Sequence, residues 1–304
     1  MQRYLSLGSY TKEKFGTKLY KLALDGGFTC PNRDGTLGTR GCIFCSGRGS
    51  GDFAESTAEG VAAAIERAKG RVAHKNRGGG YIAYFQSYTA TYAPIEKLEA
   101  LFTAAVRCEE VRVLSVATRP DCLSNETVEL LKRLNESKPV WVELGLQTVH
   151  EETARYIRRG YETAVYFDAV RRLHEAGLTV ITHMIIGLPG ETEEMIYKTA
   201  EAIGRVGSDG VKFQLLHVLR HTDLADEFRT GKFVLPDMDE YIRILAGCVE
   251  RVPKDMVIHR MTGDGAKREL IAPEWSADKK KVLNAINRYF EENDIIQGRL
   301  FQNE

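Results

Sequence analysis

The sequence predicts an α/β fold, in which an open, partial (β/α)6 barrel is followed by a C-terminal α/β extension. Three observations support this prediction. Short β-branched runs alternate with longer helical patterns, which is typical of βα units around a parallel sheet. The alternation yields six strands in about 200 residues, fewer than the eight of a closed barrel. No G-x-G-x-x-G motif follows the first strand, which disfavours a dinucleotide-binding fold.

The pattern places each element in order along the chain. We expect strands at 19–24, 81–85, 111–117, 140–146, 179–186 and 211–217. Helices are expected from residue 56 and at 95–108, 125–136, 151–158, 163–176 and 193–206. Ser56 with Glu59 three residues later is a capping-box pattern, so Ser56 is expected to open the first helix. Gly160 and Gly177 are expected to end two of the later helices.

The last part of the chain has a different pattern. A helix at 238–251, a short strand at 256–261 and a helix at 277–291 are expected there. We therefore divide the chain into a core at 1–221 and an extension at 222–304 that packs on the core.

Composition excludes several classes of protein. The 304 residues are 43% hydrophobic and 28% charged, which excludes disordered and collagen-like chains. Lys plus Arg and Asp plus Glu number 42 each, so any contact with nucleic acid must be local. No apolar run approaches the roughly 18 residues of a membrane span. Residues 1–17 lack a secretory signal, so we expect a cytoplasmic location and no membrane partner.

Three of the six cysteines lie close together, directly after the first strand. Cys30, Cys42 and Cys45 have the spacing C-x11-C-x2-C, on a loop that a parallel barrel places at its active-site face. Three thiolates are one fewer than a structural zinc site or a saturated cubane cluster contains. The residues alone leave three interpretations open: packed apolar thiols, a zinc site completed by a distant ligand, and an iron–sulfur cluster with one open iron.

Together with other segments, this loop resembles the radical SAM superfamily. Its wide spacing resembles the YhcC/YtqA-type subfamily, which is related to the catalytic subunit of Elongator and to bacterial wobble-uridine-modifying enzymes of the MnmL type. The resemblance covers nearly the whole chain. The other matching segments are 85–92 (FQSYTATY), 117–121 (ATRPD), 143–148 (ELGLQT), 183–191 (HMIIGLPGE) and 272–275 (APEW).

The resemblance implies a TIM-like partial barrel, a [4Fe–4S] cluster and S-adenosylmethionine. Cys30, Cys42 and Cys45 would be the metal ligands and the catalytic residues, leaving one iron open for the cofactor. In this family the reduced cluster cleaves the C5′–S bond of S-adenosylmethionine, and the resulting 5′-deoxyadenosyl radical abstracts a hydrogen atom. The barrel excludes water around that radical. An electron donor such as flavodoxin or ferredoxin is implied as a partner.

Residues on or just after the strands, most of them polar, are the candidate contacts of S-adenosylmethionine. The candidates are Gln86, Ser87 and Thr89 after the second strand, Ser115, Thr118 and Arg119 around the end of the third, Glu143 and Gln147 on the fourth, Arg158 beyond it, and Ile186, Gly187 and Leu188 after the fifth.

Some of these candidates have a second interpretation. Glu143 lies in an apolar strand and needs a partner there, which either the cofactor or a buried ion pair provides. Arg119 binds a cofactor carboxylate or pairs with Asp121. On the sixth strand, alternation places Lys212 and Gln214 on one face, and Phe213 and Leu215 on the other. One of these faces points into the barrel, so Lys212 and Gln214 either face its interior or face away from it. Residues 188–191 (LPGE) are expected to form a type II turn.

The resemblance to Elongator points to tRNA as the substrate. The specific expectation is the step from 5-carboxymethylaminomethyl to 5-aminomethyl uridine at the wobble position. Two alternatives remain open: a radical SAM enzyme that acts on a small metabolite or peptide, and a zinc-stabilised binding module.

Overall fold

The computed structural model describes residues 2–49, 51–76, 78–263, 265 and 267–302. Eight of its strands belong to one sheet: β1 (Tyr20–Asp25), β2 (Glu55–Ser56), β3 (Tyr81–Phe85), β4 (Val111–Thr118), β5 (Val140–Gln147), β6 (Thr179–Ile186), β7 (Gly210–Leu215) and β9 (Val257–Arg260). They are parallel and lie in the order β2-β1-β3-β4-β5-β6-β7-β9. β8 (Val218–Leu219) pairs antiparallel with β10 (Leu270–Ala272).

Helices alternate with these strands. They are α1 (Leu7–Phe15), α2 (Val61–Val72), α3 (Ile95–Arg107), α4 (Asn125–Asn135), α5 (Glu151–Tyr156), α6 (Thr163–Glu175), α7 (Glu193–Arg205), α8 (Asp223–Arg229), α9 (Met238–Glu250) and α10 (Lys279–Glu292). Within the described residues, no helix is both long and apolar enough to cross a membrane.

The central strands are buried because helices cover the sheet. β3 is buried along its whole length. Phe85 at its end packs against Phe102 of α3, with ring centroids 5.1 Å apart, and against Phe28, at 6.4 Å. Phe28 lies on the loop after β1, so this aromatic contact anchors the start of the cysteine-bearing loop on the sheet.

The predicted partial barrel is confirmed, and its sheet is wider than expected. The six predicted strands are its six central members, β1 and β3–β7. β2 adds two residues at one edge. β9 extends the other edge, where Gly210 of β7 pairs with Val257. The division at residue 222 stays a prediction, but the second part of the chain contributes a strand to the barrel sheet.

The expected capping box at Ser56 is wrong. Ser56 ends β2, and α2 begins only at Val61, after Gly60 with φ 101°. The carbonyl oxygen of Asp25 accepts hydrogen bonds from the backbone nitrogen and the hydroxyl of Thr57, both at 2.9 Å. These bonds hold the segment beside β1 as a strand, so Ser56 is not available as a helix cap.

The N-terminal helix α1 was not predicted, and it packs against one end of the barrel. Ser6 caps it by accepting a 3.1 Å hydrogen bond from the backbone nitrogen of Ser9. Its apolar side chains meet a buried cluster of residues near the amino-terminal ends of the strands. The contributing residues are Leu7, Tyr10 and Phe15 from α1, with Leu19, Ile82, Val113, Trp141 and Ile181 from the sheet side. This apolar plug fills the barrel interior at the end opposite the cysteine loop.

Candidate cluster and cofactor site

The three predicted cluster cysteines lie on the loop between β1 and β2. The carbonyl oxygen of Cys30 accepts a 2.8 Å hydrogen bond from the backbone nitrogen of Arg33, and the backbone nitrogen of Cys45 donates to the carbonyl of Cys42 at 3.0 Å. The Arg33 side chain donates to the carbonyl of Cys45 at 2.8 Å. Gly41 passes this guanidinium so closely that a Cβ atom there would lie 2.8 Å from Nε. Arg33 thus ties the two ends of the loop together.

Burial keeps the thiols of Cys42 and Cys45 protonated in the absence of a metal. It raises the pKa of Cys42 to about 12, and the charge of Cys45 adds to the rise. Burial also raises the pKa of Cys45, although Arg33 acts against it. Cys30 contributes to both shifts, so the three sulfur atoms lie within electrostatic reach of one another. Metal binding would have to displace these protons, because the thiolate is the ligand.

The donor set fits an iron–sulfur cluster. Three soft thiolates are the ligands that such clusters take. Within the described ranges, no three Cys, His, Asp or Glu side chains are grouped so as to hold one metal ion. A cubane cluster does not require that grouping, because each cysteine binds a different iron atom.

Three predicted cofactor contacts carry buried polar atoms that have no hydrogen-bond partner among the described residues. These atoms are Oγ of Ser87, Oε1 of Gln147 and Nε of Arg158. Buried polar atoms are normally paired, and leaving one unpaired costs about 1–3 kcal/mol. Ser87 follows β3, Gln147 ends β5, and Arg158 follows α5 with its carbonyl beside Cys42. Because all three lie at the face of the cysteine loop, they indicate a polar ligand there.

The backbone at the same face adopts the left-handed region at side-chain-bearing residues. The φ values are 55° at Tyr88, 68° at Gln147 and 57° at Arg158. This conformation is uncommon for residues with a Cβ atom. Such strain is concentrated at ligand-binding sites, which agrees with the unpaired atoms.

Asn32 joins the cysteine loop to the segment after α5. Its Nδ2 atom donates to the carbonyl of Arg158 at 2.8 Å and lies 3.4 Å from Sγ of Cys42. The thiol of Cys42 also lies 3.5 Å from the Arg158 carbonyl. Gly160, with φ 84°, makes room for this contact, since a Cβ atom there would lie 2.6 Å from Oδ1 of Asn32. The side chain of Arg158 pairs with Asp223.

The predicted contacts after β3 lie beside the same loop. The backbone nitrogen of Gln86 donates to the carbonyl of Leu24 at 3.3 Å, and that of Thr89 to the carbonyl of Thr29 at 3.2 Å. Thr29 immediately precedes Cys30.

The residues after Cys45 cover this strand end. The backbone nitrogen of Tyr88 donates to the carbonyl of Gly49 at 2.9 Å. Gly51 lies so close to Ser87 that a Cβ atom at position 51 would clash with the Ser87 hydroxyl. The structure therefore brings Ser87 under the loop that carries the cysteines.

Arg119 forms the pair with Asp121 that the sequence left open. Two hydrogen bonds, at 2.9 and 2.7 Å, join the guanidinium to the carboxylate. Burial acts against the charged form of Arg119, but Asp121 outweighs it and raises the arginine pKa. A cofactor role for Arg119 stays a prediction, as it does for Thr118, whose hydroxyl lies 2.5 Å from that of Thr91.

Cys122 was not expected to lie near the predicted cluster. Burial raises its pKa to about 12, with Asp121 and Cys30 adding to the rise. A fourth thiol is thus within electrostatic reach of the cysteine loop. Cys122 lies on the 3₁₀ turn after β4, 77 positions after Cys45, a separation that does not indicate a shared metal site in the sequence.

The segment after β6 has the predicted turn. The backbone nitrogen of Glu191 donates to the carbonyl of Leu188 at 3.2 Å, and Gly190 has φ 83°. Gly187, with φ 93°, passes close to Pro236, and a Cβ atom would lie 3.3 Å from that ring. Ile186 and Leu188 are buried. Their contact with an adenine stays a prediction.

Glu143 forms a buried ion pair, one of its two predicted interpretations. Oε1 accepts from Nζ of Lys21 and from Oγ of Ser115, each at 2.7 Å. Oε2 lies 2.7 Å from Nε2 of His183 and accepts from Nζ of Lys212. Burial opposes ionisation, but Lys21 and Lys212 hold the pKa of Glu143 well below its usual range. An inward-facing Lys212 is thereby confirmed, while cofactor contacts of Glu143 and Ser115 stay predictions.

Comparison with protein families gives two adjacent matches. The model of the radical SAM superfamily matches residues 35–203. The model of the radical SAM C-terminal domain matches residues 208–292.

Two bacterial proteins resemble the chain over nearly its whole length. YtqA of Bacillus subtilis is 42% identical over 99% of this chain and 94% of its own. YhcC of Escherichia coli is 32% identical over 95% of this chain and 92% of its own.

Two archaeal proteins resemble it more distantly. The tRNA uridine(34) acetyltransferase of Methanocaldococcus jannaschii is 28% identical to this chain. The matched region covers 64% of this chain and 35% of that protein. The solved structure of Elp3 from Methanocaldococcus infernus, with an N-terminal deletion, superposes with a TM-score of 0.69 and 18% identity. It covers 92% of this chain and 64% of its own, and at this identity the likeness shows the fold.

Proposed function

Because the chain belongs to the radical SAM superfamily, we propose that it modifies the wobble uridine of tRNA, converting 5-carboxymethylaminomethyl uridine to 5-aminomethyl uridine. The family match makes the chain an enzyme that uses a [4Fe–4S] cluster and S-adenosylmethionine, so a zinc-stabilised binding module is set aside. When bound, these cofactors supply the reductive cleavage that starts radical chemistry.

One observation carries the assignment of residues to this chemistry. Unpaired buried atoms of Ser87, Gln147 and Arg158 occur on the segments that surround the three-cysteine loop. In the proposal, Cys30, Cys42 and Cys45 hold three iron atoms. These three atoms then hydrogen-bond polar parts of S-adenosylmethionine, which would satisfy them.

The tRNA assignment is supported by the archaeal relative whose name places its activity at uridine 34 of tRNA. It is also supported by a local basic surface in a chain with zero net charge. Lys267, Arg268 and Lys279 line a cavity of about 670 Å³ together with Asp52 and Phe53, which follow the cysteine loop. Lysine and arginine bind phosphates, and an exposed aromatic ring stacks on bases. We propose a cytoplasmic location and an electron donor such as flavodoxin or ferredoxin.

The test is the nucleoside profile of tRNA from a strain that lacks the gene. We expect 5-carboxymethylaminomethyl uridine to accumulate and 5-aminomethyl uridine and its derivatives to disappear. The wild-type gene should restore the profile, and a gene with Cys42→Ala should not. In the anaerobically reconstituted protein, Cys30→Ala, Cys42→Ala and Cys45→Ala should each abolish 5′-deoxyadenosine formation.

Cys108→Ala is the matched control. Cys108 is half-buried at the end of α3, away from the cysteine loop in sequence, and its replacement should leave cleavage unchanged. An unaltered wobble profile in the deletion strain would reject the tRNA role. Turnover of a small metabolite or peptide in the absence of RNA would then be the alternative.

A further inference from the structure

A layer of polar and ionisable side chains crosses the barrel interior directly above the apolar plug. Five of its six members lie two positions after a plug residue along the same extended segment, so both side chains of each pair face inward. The pairs, with the plug residue first, are Leu19 and Lys21, Ile82 and Tyr84, Val113 and Ser115, Trp141 and Glu143, and Ile181 and His183. Lys212 of β7 completes this charged layer by its contact with Glu143.

The charged layer lies below the candidate cofactor site. Glu143 precedes Gln147 by four positions on β5, a rise of about 13 Å along a strand. The layer therefore forms the floor of the barrel, and the segments that carry the unpaired atoms form its mouth. A substrate held between the floor and the mouth would be shielded from solvent by the strands.

Both lysines of the layer share one carboxylate. Nζ of Lys21 lies 2.7 Å from Oε1 of Glu143, and Lys212 contacts the other oxygen. Nζ of Lys212 also lies 3.0 Å from the hydroxyl of Tyr84. The two ammonium groups lie 4.6 and 4.5 Å from the centroid of the Tyr84 ring. The lysines are thus packed around one anion and one ring.

Among the described residues, this arrangement places two lysine side chains on a single carboxylate. His183 adds no positive charge at neutral pH, because burial and the charge of Lys212 lower its pKa to about 4. Burial also holds the pKa of Lys212 well below its usual range. Glu143 acts against that shift, but the charge of Lys21 adds to it. A buried ammonium without its own counter-ion is costly, and a second carboxylate in the layer would remove that cost.

Two members of the layer retain access to a ligand. The side chains of Lys21 and His183 are 21% and 15% exposed, whereas those of Glu143 and Lys212 are 0% and 3% exposed. An ammonium has three hydrogen-bond donors, and Glu143 accepts from one donor of Lys21. Lys21 can therefore donate to a second carboxylate without releasing the first.

We propose that this charged layer binds the carboxylate of the substrate, with Lys21 as its direct contact. Glu143 and Lys212 are positioning residues that hold the ammonium of Lys21 toward the mouth. The identity of the ligand rests on the proposed function. In 5-carboxymethylaminomethyl uridine the carboxylate ends the C5 substituent, and in 5-aminomethyl uridine it is absent. The layer would therefore distinguish the substrate from the product.

The test measures binding without turnover. The reconstituted full-length enzyme is mixed with S-adenosylmethionine but no reductant, and its Tm is recorded with each of three probes. The probes are 5-carboxymethylaminomethyl uridine, 5-aminomethyl uridine and N-methylglycine, a small molecule with the same carboxylate. A ligand that binds the folded chain raises its Tm. We expect an increase of a few degrees with the first and third probes and none with the second.

Two variants localise the effect. Lys21→Met should abolish the increase, and Lys18→Met should leave it unchanged, because Lys18 is exposed just before the same strand. If Lys21→Met does not fold, the comparison of the three probes on the wild-type enzyme decides the question alone. Equal shifts with both nucleosides, or a full shift in Lys21→Met, would overturn the carboxylate site and leave the proposed tRNA function intact. A Lys21-dependent shift with N-methylglycine alone would support the site and overturn the wobble-uridine substrate.

Discussion

Gly160, at the candidate site, and Gly177, away from it, have similar backbone conformations but different surroundings. Comparing substitutions at the two positions therefore distinguishes the cost of backbone strain from the cost of a steric clash. Gly160 and Gly177 have φ values of 84° and 72°. A Cβ atom at Gly177 would meet nothing within 4 Å, whereas one at Gly160 would press on Asn32 and lie 3.2 Å from the Arg119 guanidinium. Only a side chain at Gly160 would disturb the cysteine loop, because the Asn32 side chain that it would press on donates a hydrogen bond to the Arg158 carbonyl beside Cys42.

We therefore predict unequal effects for the two alanine substitutions. Gly177→Ala should lower the free energy of unfolding by about 1–2 kcal/mol, the cost of a left-handed residue with a Cβ atom. Gly160→Ala should lower it further and should also reduce the iron content per chain after reconstitution. Urea unfolding and iron analysis measure both. Equal losses of stability together with equal iron content would contradict the role given to Asn32.

The neutral histidine of the charged layer makes stability depend on pH. His183 has a pKa of about 4 in the folded chain, below its usual value of 6.5. Between these values the unfolded chain binds more protons, so the free energy of unfolding should fall as the pH is lowered from 6.5 toward 4. The full shift is worth about 3 kcal/mol.

His183→Gln removes this titration and retains a hydrogen-bond donor toward Glu143. The variant should lose part of the decline between pH 7.5 and pH 5 that urea unfolding shows for the wild-type chain. His74→Gln, at an exposed position, is the control and should keep the full decline. Identical pH profiles for His183→Gln and the wild-type chain would show that His183 is not buried in its neutral form.

At the scale of elements, the apolar plug closes the barrel at the amino-terminal ends of its strands and so limits the depth of the interior cavity. Trp141 of β5 is 1% exposed and lies 6.2 Å from the ring of Tyr10 on α1, measured between centroids. Its replacement by alanine should lower the free energy of unfolding by about 3–5 kcal/mol, the usual cost of removing a large buried ring. It should also release α1, which limited proteolysis within residues 7–15 would detect.

Trp141→Phe is the matched control for the plug, because it keeps a ring in the cavity. It removes an indole nitrogen that has no hydrogen-bond partner in the described part of the chain. It should cost much less stability and leave α1 protected. If both variants were cleaved at the same rate as the wild-type chain, α1 would not depend on Trp141 for its position.

Local patterns predicted the elements whose burial is local, and missed those that depend on distant contacts. The six central strands were predictable because β-branched runs buried on both faces stand out between amphipathic helices. The sequence around Ser56 matches a capping box, but the prediction of a helix start there is wrong. Hydrogen bonds from Thr57 to the carbonyl of Asp25 hold the segment beside β1 instead. α1 gave no strong pattern, because only three of its nine residues, Leu7, Tyr10 and Phe15, carry large apolar side chains.

The same limit applies to the candidate site. The cysteine loop and the polar strand ends could be predicted, since spacing and strand order place them at one face. The contact of Lys21 with Glu143 joins residues 122 positions apart, and nothing in either local sequence indicates it. The approach of Cys122 to Cys30 likewise depends on how two loops pack.

At the scale of the whole molecule, zero net charge decides how tRNA would be held. A uniformly basic protein binds through many weak phosphate contacts, whereas a neutral chain must rely on few. The cavity beside the cysteine loop offers Lys267, Arg268 and Lys279. Each phosphate contact contributes about −0.7 for a single strand, and about −0.9 for a duplex, to the slope of log K against log salt concentration. We therefore expect a slope of about −2 to −3, much shallower than that of strongly basic proteins.

The double substitution Lys267→Ala and Arg268→Ala should flatten this slope by about 2 and weaken binding at low salt. Lys12→Ala with Lys14→Ala removes the same charge from α1 at the opposite end of the barrel, and should leave the slope unchanged. Filter binding of tRNA over a range of salt concentrations measures both. If the α1 pair flattened the slope as much, the attraction would come from the overall charge, and the tRNA would have no fixed position over the cysteine loop. A change confined to the cavity would place phosphate contacts of the tRNA beside the cysteine loop.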